Sequence, residues 1–157
     1  RFNYYLSQAL NCPMSDVEGM VIGGHGDTTM VPLVSKAFYR GGNVTEKLSA
    51  EEAEKVVADT MVGGATLTKL MYAPGANAAA LARAVVLDEK RVYPCCVSLD
   101  GQWGESDICI GVPAVIGKNG VEEIIEFELP ENEMAKFKAS AQAVRKTNGV
   151  LNEINVL

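Results

Sequence analysis

A chain of 157 residues is long enough for one domain with a single core that needs no staple. Its 48% apolar and 22% charged content is that of a globular protein; no apolar run reaches bilayer length, and the start lacks the flanks of a signal peptide. A formal charge of −6, from 20 acidic and 14 basic residues, argues against nucleic acid as a partner, because binding a phosphate backbone needs clustered lysine and arginine.

In chain order, Phe2 to Leu10 reads as a helix ended by Asn11-Cys12-Pro13, since proline cannot continue the hydrogen-bond ladder. Glu18 to Ile22 reads as a short strand leading into Gly23-Gly24-His25, and Met30 to Val34 as a second extended piece. Arg40 to Asn43 is a loop. Ser49-Ala50-Glu51-Glu52 is a capping box, in which the serine hydroxyl and the Glu52 carboxylate satisfy each other's backbone amides. The helix that starts there runs towards Met61, where Gly63-Gly64 is expected to bend or interrupt it.

Tyr72-Ala73-Pro74-Gly75 marks a second break, and Ala-rich Asn77 to Leu87 is expected to be a buried or close-packed helix. The periodicity then switches. Arg91 to Leu99, Ser106 to Val112, Ala114 to Gly117 and Val121 to Phe127 have β-branched character, and Asn119-Gly120 between two of them is a hairpin signal. From Pro130 to Leu157, Met134, Phe137, Ala141, Val144 and Leu151 recur at three- and four-residue steps, which puts an apolar stripe on one face of a long terminal helix. The expected architecture is α+β, with long helices packed on an antiparallel β-meander. Cys12, Cys95, Cys96 and Cys109 show no Cys-x-x-Cys spacing and read as reduced, partly buried thiols in a reducing, cytoplasmic compartment.

The chemistry concentrates at two residues. His25 is the one histidine of the chain and sits between glycines in Gly23-Gly24-His25-Gly26-Asp27. Imidazole accepts and returns a proton near neutral pH, and the flanking glycines take side-chain bulk away from it. A lone histidine at a strand end is ordinarily structural. What reverses that reading is Arg1, opening Arg1-Phe2-Asn3-Tyr4-Tyr5 twenty-four positions earlier. Asp27 reads as a residue that orients or caps the turn. Glu105 and Asp107 near Trp103 have no metal-ligand spacing with so distant a histidine, so no metal site is expected.

The Arg-Phe helix start, its spacing to the Gly-His-Gly-Asp turn, Pro32, and Gly117-Lys118-Asn119-Gly120-Val121 resemble the lactate/malate dehydrogenase family, and within it the malate branch. The resemblance covers essentially the whole chain, as residues 1–157 of a C-terminal substrate and catalytic domain. It implies His25 as general acid/base, Arg1 as the clamp on a substrate carboxylate, and a dicarboxylate such as malate or oxaloacetate as substrate. Gly63-Gly64-Ala65-Thr66-Leu67-Thr68 resembles the family segment that lines substrate and nicotinamide. That adds Thr66 and Thr68 as substrate-binding candidates and Met71 as a cofactor-binding one.

NAD is implied as cofactor, held mainly by an N-terminal domain preceding Arg1, since the chain has no Gly-x-Gly-x-x-Gly opening a βαβ unit. The family's aspartate that orients the histidine falls before Arg1 as well. A homodimer or homotetramer is implied for the intact enzyme. Two other readings stay open: a lactate or other 2-hydroxyacid dehydrogenase domain, and a non-catalytic oligomerisation domain with a structural His25.

Overall fold

The computed structural model describes residues 1–64 and 72–153. Helix α1 (Phe2–Ala9) buries Phe2 and Leu6 against Val17, Ala37, Val44 and Val56. It ends at Leu10, whose N–H bonds back to Leu6, so the Pro13 stop acts where expected. The predicted strand after it divides in two. β1 (Val17–Glu18) joins β4 (Phe38–Tyr39) and β5 (Gly42–Asn43) in a small antiparallel sheet, while β2 (Val21–Gly23) pairs with β3 (Met30–Pro32) in a second, five-stranded sheet. The 40–43 loop is thus a tight turn whose end already pairs.

Helix α2 (Ala50–Val62) carries the capping box: the Glu52 N–H donates to Ser49 Oγ and the Ser49 N–H to Glu52 Oε2 at 2.8 Å. Backbone and side-chain hydrogen bonds from Ser49 hold the Glu52 carboxyl below its ordinary pKa. The helix ends at Gly63. Helix α3 (Tyr72–Val86) includes Pro74 and Gly75 instead of starting after them. A proline in the first turn costs no ladder bond, because the amide it lacks has no intrahelical acceptor there. The burial expected for this helix is only partial. Ala84 is buried against Ala114 and Ile116, with Leu81 and Val85 packed alongside, whereas residues 74–79 are exposed.

The central hairpin is β6 (Arg91–Asp100) with β7 (Ser106–Gly117). Pro113 was expected to divide β7 but does not, because Pro94 stands directly opposite it. Two missing N–H groups at one pair leave the ladder on either side intact. β8 (Gly120–Ile124) returns along β7 with Gly117 opposite Gly120. The turn residues are therefore Lys118 and Asn119, and it is Gly120, at φ +88°, that takes the left-handed conformation. This is a two-residue turn centred on Lys118-Asn119 with a left-handed glycine after it, not the Asn-Gly turn that the dipeptide suggests, and the register shift comes further on, between Val115 and Ile116.

Helix α4 (Glu131–Glu153) lies across this sheet. Phe137 and Ala141 are fully buried with Ile22, Leu33, Ile110 and Val112, and Met134 and Val144 flank them. The stripe runs out at Leu151, which is 39% exposed. Trp103, between β6 and β7, sits 5.6 Å from the Phe137 ring and edge-on to Phe127 at 5.8 Å, with its Nε1–H donated to the Phe127 carbonyl at 3.0 Å. No described helix is long and apolar enough to cross a membrane.

Polar anchors fix α4 along its length. Glu105, 8% exposed, accepts from Lys138 and Arg145 at 2.9 Å each. Burial pushes its carboxyl pKa up, but the hydrogen bonds and charges of the two cations outweigh that and hold it below the ordinary value. A depressed folded value means stability that is present above the unfolded glutamate value of about 4.3 and is lost as pH falls through the folded one. Lys138 and Arg145 are 42% and 36% exposed, so solvent screening discounts the pair. We expect Glu105→Gln to cost about 1–2 kcal/mol at neutral pH and to lower the melting temperature by about 2–8 °C. The gap to the parent should narrow in thermal melts as pH is lowered below the ordinary glutamate value; equal melting at pH 7 would show that the pair contributes nothing.

Candidate active site

Gly23 ends β2 at φ +90°, and a Cβ there would lie 2.6 Å from the Thr29 carbonyl oxygen, so only glycine lets the chain leave the strand in this direction. The turn that follows is stitched internally. The Thr29 N–H donates to the Gly26 carbonyl at 2.9 Å and the Gly26 N–H to Thr29 Oγ1 at 2.9 Å. Gly23 also pairs with Gly111 in the middle of β7, which brings this turn onto the central hairpin. His25 stands on it exposed.

Arg1, one residue ahead of α1, reaches the same place from another element. Its Nη2 lies 3.8 Å from Met30 Sδ, at the start of β3. A Cβ on Gly64 would collide with Arg1 Nη1 and lie 3.3 Å from Asp27 Oδ1, so the glycine after α2 leaves room for the guanidinium. Arg1 and His25 line one cleft of about 460 Å³. Val21, Ile22, Pro94 and Ile110 give it an apolar wall, and Asn77 of α3, Cys96 and Cys109 also face it.

These last three were not singled out from sequence. The period-two alternation of β6 does place Pro94 and Cys96 on one face, but nothing local says that this face meets His25. Cys96 and Cys109 are exposed, not partly buried as expected, and all four cysteines are free thiols. Loss of some hydration at the cleft wall, then the neighbouring Cys109, raises the Cys96 thiol pKa, which disfavours a thiolate nucleophile. Thr60 lines the cleft too, with its hydroxyl donated to the Val56 carbonyl at 2.7 Å. Thr66, Thr68 and Met71 lie outside the described residues. A separate hollow of about 440 Å³ is lined by Asp16 and Arg40, which pair with each other at 2.8 Å.

Residues 1–152 match the model of the lactate/malate dehydrogenase α/β C-terminal domain. The chain is 56% identical over its whole length to the malate dehydrogenase of Bacteroides fragilis, covering 52% of that enzyme. Among solved structures, the malate dehydrogenase of Salinibacter ruber superposes with a TM-score of 0.91 at 37% identity, over 99% of this chain and 52% of that one. The lactate dehydrogenase of Cryptosporidium parvum, complexed with lactic acid and NAD, does so at 0.90 and 31% identity, over 96% and 51%. The chain thus spans about half the length of the relatives it matches. Its helices and sheets are those of the α/β C-terminal domain of the lactate/malate dehydrogenase family, to which this chain belongs.

Proposed function

We infer that this domain supplies the acid/base and substrate-binding half of an NAD-dependent malate dehydrogenase. The observation that carries the reading is that Arg1 and His25, from different elements, open on one cleft. A cation and a proton carrier lining one cleft are what a 2-hydroxy acid requires. Arg1 holds the carboxylate through two parallel N–H···O bonds, which orient the neighbouring carbon as a lysine point charge would not. His25 takes the hydroxyl proton as the carbon is oxidised and returns it to the carbonyl oxygen in the reverse direction.

The apolar wall of Val21, Ile22, Pro94 and Ile110 fits a flat nicotinamide ring, while no described residue forms a cradle for a pyrophosphate. A nicotinamide held against this wall would supply the acceptor for the hydride of the hydroxyl-bearing carbon. The wall's share is to exclude water beside the reacting carbon, which strengthens the Arg1 contact. The phosphates, and the carboxylate that orients His25, are proposed to come from an N-terminal domain outside these residues. Four free cysteines support a reducing, cytoplasmic setting. Exposed Val62, Val86 and Leu87 support a homo-oligomer of the intact enzyme.

The test is steady-state kinetics of the full-length enzyme on oxaloacetate and pyruvate. We expect a kcat/KM for oxaloacetate at least about a hundredfold higher, because pairing the substrate's second carboxylate is worth more than a methyl contact, and a pocket cation left unpaired by pyruvate is costly. A preference for pyruvate would place the protein on the lactate branch with the same roles for Arg1 and His25. No turnover of either would leave an assembly domain.

A further inference from the structure

We propose that Ser140, on the C-terminal helix α4, is a positioning residue for His25; the inference rests on His25 being the acid/base group. Ser140 is 3% exposed and far from His25 in sequence. Its Oγ accepts from the Gly24 N–H at 2.8 Å and donates to the Thr29 carbonyl at 2.7 Å. One hydroxyl therefore spans the mouth of the turn, holding the residue before His25 and the residue that closes the turn.

On the other side of His25, the Gly26 N–H is held by Thr29 Oγ1. Both backbone neighbours of the histidine are thus tied, one directly to Ser140 and the other through Thr29, while the ring itself stays exposed. This is what proton transfer needs: a fixed Cα with the ring reaching into the cleft. The turn is glycine-rich and has little side-chain packing of its own, so without these ties it would sample several backbone conformations. Val144, one turn further along α4, lies 3.3 Å from where a Cβ on Gly24 would be. That contact closes the same face, and α4 so becomes the rigid back of the catalytic turn.

A misplacement of about 1 Å by a residue remote from the reacting atoms can cost up to about a hundredfold in rate. Among the described residues Ser140 Oγ bonds Gly24 and Thr29 and neither Arg1 nor α1, so its loss should fall on kcat and spare substrate affinity. In the full-length enzyme we expect Ser140→Ala to lower kcat for oxaloacetate reduction between about tenfold and a hundredfold, with KM changed by less than about threefold. Ser140→Cys, which keeps the volume but replaces a strong donor and acceptor by weak ones, should behave in the same way.

Glu133→Gln is the control. Glu133 anchors the start of α4 by accepting from the Ser35 N–H at 3.1 Å and its hydroxyl at 2.5 Å, away from the His25 turn, so the variant loosens the helix yet should keep kcat within about twofold at comparable melting temperature. Wild-type kcat in Ser140→Ala or Ser140→Cys, beside an inactive His25→Asn, overturns the proposal and leaves the function intact. An equal loss of kcat in Glu133→Gln also overturns it, since general loosening of α4 would then suffice. Undiminished turnover in His25→Asn removes the base itself and the proposal with it.

Discussion

Replacing His25 by asparagine in the full-length enzyme is expected to lower turnover by at least about a hundredfold while leaving NADH binding near normal. Asparagine preserves a polar side chain of similar reach but has no group that binds and releases a proton, and general acid/base catalysis is worth about 10² to 10⁴ in rate. His25 is exposed on a turn held by backbone and hydroxyl bonds rather than by its own ring, so the substitution should fold as the parent does. Arg1→Lys is expected to divide differently, weakening substrate affinity as well as turnover, because a planar fork becomes a point charge. Cofactor fluorescence titration together with oxaloacetate kinetics separates the two effects. If both variants retained parental kinetics, the cleft would be structural and the domain an assembly module.

The part of this site legible in sequence was the part carried by local chemistry. An arginine and a histidine in distinctive surroundings can be recognised without knowing how the chain returns, and the glycine flanks of His25 state directly that the backbone there does something unusual. Gly23 shows why: its positive φ and the nearby Thr29 carbonyl demand the missing side chain. Ser140 carried no such mark. It is one serine among the small residues of a long helix, and its meaning comes from a β-turn more than a hundred residues away. Asn77, Cys96 and Cys109 were illegible for the same reason, since alternation assigns a face to a strand but not the object that the face meets.

In the scaffold, the local rules succeeded where one interaction decides and misled where two compete. The Ser49 capping box and the Pro13 stop formed as written, because each depends on a few consecutive residues. Pro113 reads alone as a strand breaker, but tertiary pairing sets Pro94 opposite it, and that partner cannot be seen from either proline. Asn119-Gly120 signals a turn correctly yet not its centre, since the left-handed glycine follows the Lys118-Asn119 turn and opens the return strand. Ala-rich Asn77 to Leu87 was expected to be buried or close-packed, but its small side chains are equally compatible with the exposed surface that residues 77–79 present among the described parts of the chain.

Phe137→Ala is expected to be the most damaging single change to the fold, costing about 3–5 kcal/mol. The ring is fully buried and packs on Trp103 at 5.6 Å, within the cluster that joins β2, β3, β7 and α4. Removing it forfeits both the transfer free energy of the ring and the contacts of the cavity left behind, and the surroundings cannot collapse freely. Trp103 is tethered through Nε1 to Phe127 and through its N–H to Glu126, while α4 is pinned by Glu133 and Glu105 on either side of the cavity. A domain of this size should lose about 6–20 °C in melting temperature. Thermal and urea unfolding measure this, and a loss below about 1 kcal/mol would mean that the core repacks around the hole. Phe137 lies one turn before Ser140 and Ala141 on the same face of α4, so the remaining folded fraction should also turn over more slowly, as the helix face behind the His25 turn loses its footing. Activity scaled to folded protein, followed as temperature rises towards the melting transition, should fall before global unfolding begins in Phe137→Ala and together with it in the parent.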